Sequence, residues 1–192
     1  MNEYTIMQTK QLIDSIFDDL SKTLHQVDVH QIEEFETSIV DARRIFVVGK
    51  GRTGLQMKAF AMRLMHLGLK VFVVDDATTP SIQPFDLLII GSGSGHTESL
   101  IGYAKSALSN DASLARITGN LKSPIAKLSK TLVYIPASNF KSGEQIDRPT
   151  VLLMGSLFEH AIGLLFDLVA VQLKDKLERS EDVMNSLHAN LE

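Results

Sequence analysis

The sequence predicts an α/β fold: a three-layer αβα sandwich around a five-stranded parallel sheet of flavodoxin-like order. Three observations carry it. Five short apolar runs rich in β-branched residues alternate with helical segments, the pattern of a parallel sheet covered on both faces. Two of these runs end in glycine-rich turns that open helices. The length of 192 residues suits one domain. That domain divides into N-terminal helices (3–42), an α/β core (43–178) and a C-terminal helical tail (179–192).

The first 42 residues read as two helices. Ile6, Ile13, Ile16, Phe17, Leu20 and Leu24 recur at helical spacing, and Asp28 is placed to cap a second segment carrying Ile32, Phe35, Ile39 and Val40. The period then changes. Arg44 to Val48 is an apolar run closed by Gly49, the first strand. Thr53 to His66 is helical and Gly68 ends it. Val71 to Val74 is the second strand and Asp86 to Ile90 the third, followed by a helix from Thr97 to Leu108. Leu114 to Thr118 is the fourth strand, and Ser123-Pro124 opens a short helix, with proline at its first position. Leu132 to Ile135 is the fifth. A polar excursion over 137–150, long enough to be a lid, leads to a long apolar helix from Pro149 to Lys176 and a last piece from Glu181 to His188.

Composition narrows the function. Nineteen basic against 23 acidic residues give a net charge of −4, which offers no basic footprint for nucleic acid or an anionic membrane. The absence of cysteine excludes disulfides and thiolate chemistry, and the histidines show no metal-ligand spacing. The first residues, MNEYTIMQTKQL, lack the apolar core of a signal peptide. Val151 to Leu173 is interrupted by Glu159, His160, Asp167 and Gln172, so no membrane span is expected. A cytoplasmic protein without metal or organic cofactor is the expectation.

Two loops carry the chemical signal. Gly49-Lys50-Gly51-Arg52-Thr53-Gly54 follows the first strand and matches a dinucleotide fingerprint, with Asp75 and Asp76 placed to meet a ribose hydroxyl. Gly91-Ser92-Gly93-Ser94-Gly95-His96-Thr97 follows the third strand. Hydroxyls interleaved with glycines at a helix N-terminus make an oxyanion cradle, although Thr97 alone would also serve as an ordinary cap. In a sheet of order 2-1-3-4-5 both loops border the topological switch point, so Gly51, Arg52 and Thr53 face Ser92, Gly93, Ser94, Gly95, His96 and Thr97 across one crevice. Such a pocket suits a phosphate monoester.

At these loops the chain resembles the sugar isomerase (SIS) domain family. Three further runs make it similar to the 6-phospho-3-hexuloisomerases of that family: Lys58-Ala-Phe-Ala-Met-Arg-Leu-Met-His-Leu-Gly68, Met154-Gly-Ser-Leu-Phe-Glu159 and His188-Ala-Asn-Leu-Glu192. The similarity spans nearly the whole chain. Four departures stand out: Lys50 where the family is small, Thr53 for serine, His96 for glutamate, and Leu152-Leu153 where a proline usually precedes the Met-Gly segment. The hydroxyl survives at Thr53, while its methyl should narrow the pocket. The resemblance implies interconversion of 3-hexulose 6-phosphate and fructose 6-phosphate, in tetramers built from dimers, with hexulose-phosphate synthase as pathway partner.

Moving a carbonyl between C3 and C2 needs a base to take the C2 proton and return it at C3. Glu159 fits, as a carboxylate in an otherwise apolar helix beside Leu157 and Phe158, and the resemblance assigns the same residue as proton acceptor. A carboxylate on the polar helix surface near Lys174 is the plainer reading. His66 and His188 are candidates for moving hydroxyl protons. His66 could equally be a charged histidine stabilised at a helix C-terminus, and a catalytic His188 would dock into a neighbouring subunit's crevice. Arg52 either orients substrate or pairs with Asp75 or Asp76. The helix after Pro149 is apolar on more than one face, which points to a homo-oligomer. Two other readings remain: a non-catalytic phosphosugar-binding module and a dinucleotide-binding protein.

Overall fold

The computed structural model describes residues 3–128, 131–137 and 150–191. Two helices open the chain, α1 (Glu3–Leu24) and α2 (Val29–Val40). The Asp28 carboxylate caps α2 as predicted, accepting the His30 N–H at 2.9 Å. The core then alternates: β1 (Ile45–Gly49), α3 (Gly51–His66), β2 (Val71–Val73), β3 (Leu87–Ser92), α4 (Glu98–Ser109), β4 (Ser113–Thr118), a 3₁₀ turn (Ile125–Lys127) and β5 (Thr131–Tyr134). The long helix α5 (Ser156–Lys176) and a short α6 (Glu181–Ser186) follow. The sheet is parallel throughout, in the order β2-β1-β3-β4-β5 that the sequence predicts.

Strand residues point alternately to the two faces, and each face buries its own helices. Ile45 and Val47 of β1, with Leu87 and Ile89 of β3, pack against Phe35 of α2, Phe60 and Leu64 of α3, and Phe158 and Ile162 of α5. Phe46 and Val48, with Leu88 and Ile90, pack against Leu100 and Ala104 of α4 and Ile125 of the 3₁₀ turn. This is the three-layer arrangement. Phe60 stacks on Phe166 with centroids 4.0 Å apart, which locks α5 alongside α3.

One predicted boundary shifts by several residues. The helix expected from Pro149 begins at Ser156, because Met154 (φ 53°) and Gly155 (φ 85°) lie in the left-handed region that a right-handed helix cannot use. Pro149 itself, with 138–149 of the predicted excursion, lies outside the described residues. On α1, Leu20 is buried and Ile16 and Leu24 are half-buried, whereas Ile13 and Phe17 are exposed, so part of its apolar stripe finds no partner among the described residues. By length and composition α5 could cross a membrane. Nine of its residues are nonetheless buried against the rest of the chain, as in a core helix.

At the N-terminal edge of the sheet, fully buried Asp86 accepts hydrogen bonds from Arg43 (3.1 Å), Arg44 (2.6 Å) and the Gln83 N–H (2.9 Å). Burial pushes its pKa up, but Arg44 and Arg43, with the Gln83 N–H, outweigh burial and hold it at about 2. This brace joins the starts of β1 and β3. It stands at the opposite edge from the glycine-rich loops.

Candidate active site

Gly49 at the end of β1 is in register with Gly91 in β3, so the two glycine-rich loops leave the sheet side by side. Between them opens a crevice of about 290 Å³, lined by Arg52, Thr53, Ser92, Ser94, Thr97 and Glu159 among others. It sits outside the carboxyl ends of β1 and β3, where the strand order reverses, the usual ligand position in such sheets.

The serine loop is braced from below. The Gly119 N–H donates to the Gly93 carbonyl at 3.0 Å, tying the loop to the end of β4. Gly95 has φ 64°, and a Cβ there would come within 2.1 Å of the Ser123 hydroxyl, so only glycine fits. Ser92 and Ser94 are buried, and their hydroxyl oxygens accept the N–H of Gly95 (3.1 Å) and of His96 (3.3 Å). Each keeps its own O–H to donate. Thr97 stands at the N-cap of α4 but makes no side-chain cap bond, so its hydroxyl is not spent on the helix. His96 is exposed, and its Nδ1–H donates to the Ser94 carbonyl at 2.7 Å.

Thr53, in the first turn of α3, is buried on the facing wall. Its methyl lies 3.1 Å from where a Cβ on Gly91 would stand. The methyl expected to narrow the pocket therefore seats over a glycine.

The far wall differs from expectation. Glu159, in the first turn of α5, is not the unpaired carboxylate that its apolar neighbours suggest. Leu157 and Phe158 turn into the core, whereas Glu159 is 17% exposed and its Oε2 lies 2.8 Å from Arg52 Nε. Arg52 thus pairs across the crevice and not with Asp75 or Asp76. Asp75 is held by Lys50 and Tyr103, and Asp76 lies 3.7 Å from Lys58. Both acids that a dinucleotide would need for its ribose already face cations. The surface-carboxylate reading fails too, since Lys174 faces Glu181. Sequence reasoning missed the Arg52–Glu159 pair because the two residues are more than a hundred positions apart and meet only where α3 packs on α5.

His66 and His188 stand elsewhere. His66 ends α3, about 15 residues of roughly 1.5 Å rise from Gly51, so roughly 22 Å from the crevice of its own chain. The two imidazoles stack on each other, centroids 5.1 Å apart and planes 12° apart. Burial, then His188 and Arg63, lower the His66 pKa below its ordinary 6.5. That direction runs against a charged histidine at the helix terminus, since burial and the neighbouring His188 and Arg63 all disfavour the charged form. Among the described residues no three His, Asp or Glu side chains gather to hold a metal ion.

The SIS domain family model matches residues 38–154, and the chain belongs to that family. Relatives that match over nearly its whole length are more particular. It is 36% identical to the 3-hexulose-6-phosphate isomerase of Bacillus subtilis, over 97% of this chain and all of that one. With the enzyme of the same name from Mycobacterium gastri, identity is 39%, over 91% and 87%. A Methanococcus jannaschii protein, whose crystal structure led to an inferred 3-hexulose-6-phosphate isomerase function, superposes with a TM-score of 0.81 at 30% identity. It covers 94% of this chain and 98% of its own.

Proposed function

We propose that this protein is a 3-hexulose-6-phosphate isomerase, a single SIS unit interconverting 3-hexulose 6-phosphate and fructose 6-phosphate in the cytoplasm. The observation that carries the reading is one crevice with a hydroxyl-rich anion cradle on one wall and a carboxylate on the other. The substrate's phosphate lies on the Ser92–Thr97 loop and its C2–C3 bond beside Glu159. The Glu159 carboxylate takes the C2 proton, leaving an enediolate whose charge faces Arg52. Return of the proton to C3, with transfer of the hydroxyl hydrogen from the oxygen on C2 to that on C3, completes the shift. Every atom moved is a proton of the substrate, so the chemistry calls for no redox partner.

Ser92 and Ser94 bind a charged acceptor in this reading. Their joint replacement by Ala should weaken fructose 6-phosphate binding by roughly 1.5–3 kcal/mol for each lost bond. Unchanged affinity by calorimetry would remove the phosphate from the loop.

The stacked His66–His188 pair cannot reach Glu159 of its own chain and assists the reaction only across a subunit boundary. Support comes from apolar surface left uncovered by the described residues: Phe17 on α1, Met62 on α3, and Leu164, Leu168 and Val171 on α5 are exposed. A groove of about 410 Å³ between these helices, apolar in much of its lining, continues that surface. This surface supports a homo-oligomer, and the family resemblance implies a tetramer built from dimers. Light scattering should return a multiple of 21.2 kDa, and a monomer at assay concentration would end the role of both histidines.

The test of the function is a coupled assay. Ribulose 5-phosphate, formaldehyde and a hexulose-phosphate synthase, its pathway partner, generate the substrate, and fructose 6-phosphate should appear only when this protein is added. Binding without turnover would favour the non-catalytic phosphosugar module.

A further inference from the structure

Among the described residues, three charged side chains line the crevice: Lys50, Arg52 and Glu159. Arg52 and Glu159 neutralise each other at 2.8 Å, so among the described residues the remaining charged group of the lining is the ammonium of Lys50, whose counter-charge, Asp75, stands outside the crevice. The serine loop offers hydroxyls and backbone N–H groups but no cation. A phosphate monoester carries roughly −1.5 to −2 near neutral pH.

Lys50 is held in place from two sides. Its Nζ donates to Asp75 Oδ2 at 2.7 Å, and the Tyr103 hydroxyl donates to Oδ1 of the same carboxylate at 2.6 Å. Nζ also lies 5.4 Å from the centroid of the Tyr103 ring, within cation–π range. Asp75 adopts φ 77°, a left-handed conformation that costs most residues and that Asp and Asn tolerate best. Tyr103 belongs to α4, the helix whose N-terminus carries the serine loop. Asp75 does not line the crevice. It lies in a neighbouring hollow of about 260 Å³, which Lys50 also borders. The lysine thus stands between the two spaces, tied to the helix that carries the anion cradle.

We infer that Lys50 is a phosphate-recognition residue, held by Asp75 and Tyr103 at the rim of the crevice, where it supplies the positive charge that favours a phosphorylated sugar over a neutral one. The inference rests on the phosphosugar reading and adds a residue to it. Steady-state kinetics and direct binding of fructose 6-phosphate, at low and high salt, test it with three variants. Lys50→Ala should raise KM and Kd about ten-fold at low salt, less at high salt, with kcat within about two-fold. Lys50→Arg should restore affinity to within about three-fold. Asp75→Asn retains a residue that tolerates the left-handed backbone, yet removes the carboxylate that offsets the lysine. Affinity should then hold, or tighten by up to about three-fold.

A clasp that merely braced the fold would behave differently, with Lys50→Ala and Asp75→Asn weakening binding alike. That outcome overturns the inference, as does a folded Lys50→Ala protein that binds as tightly as the parent. Failure of the unaltered protein to bind fructose 6-phosphate would instead remove the phosphosugar reading itself.

Discussion

Glu159→Gln should lower turnover by roughly 10²–10⁴-fold, the usual contribution of a positioned base, while fructose 6-phosphate affinity stays within a few-fold. The amide keeps the shape of the side chain and a carbonyl that can still accept from Arg52 at the same short range. It cannot take a proton. Steady-state kinetics with a melting curve separate lost chemistry from lost folding, and exchange of the C2 proton with deuterated solvent isolates the step. A folded variant that still exchanges that proton at the parent rate would move the chemistry away from Glu159, to His66 or His188 of a neighbouring subunit.

Asp86→Asn should have the largest effect on stability. The fully buried carboxylate accepts from Arg43, Arg44 and the Gln83 N–H, and the amide would turn donors toward donors. Breaking a buried charge pair costs about 3–5 kcal/mol. Arg43 is 53% exposed and can turn to water, which favours the lower end of that range. For a chain of this size, a loss of about 3 kcal/mol lowers the melting temperature by roughly 6–12 °C. Activity per folded molecule should be retained, because the brace lies at the opposite edge of the sheet from the crevice.

The pH dependence has a definite sign. The Asp86 pKa of about 2 is below its ordinary 3.8, so the native state favours the ionised form. Its contribution is fully present above about 3.8 and is lost as pH falls through about 2, with stability rising with pH across that window. In the variant this part of the slope should disappear. A melting temperature unchanged at pH 7 would show that the brace contributes little.

The strands, their order and the two glycine-rich loops were legible because each is a local pattern. An apolar run of β-branched residues closed by glycine can be read without knowing its neighbours, and the alternation with helices leaves few topologies. The serine loop at the start of a helix was legible for the same reason, since the two are contiguous in the chain. The start of α5 was not. Its apolar periodicity runs back through Leu152 and Leu153, and only the left-handed backbone at Met154 and Gly155 shows where the helix begins.

What the sequence by itself determined was the fold class, the two glycine-rich loops that border the crevice and the isomerase resemblance, with Glu159 as a candidate base. The tertiary structure alone decided which charges meet. Arg52 could have paired with any of several acids by spacing, and it meets Glu159 because the stacking of Phe60 on Phe166 brings the first turns of α3 and α5 together. Lys50 found Asp75 and Tyr103 for a similar reason, since β2 and α4 flank its loop. His66 stands the length of α3 away from Glu159 of its own chain, and His188 stacks on it there. Local periodicity encodes secondary structure residue by residue. Ion pairs between distant segments depend on packing angles and helix lengths, and those exist only once the core has formed.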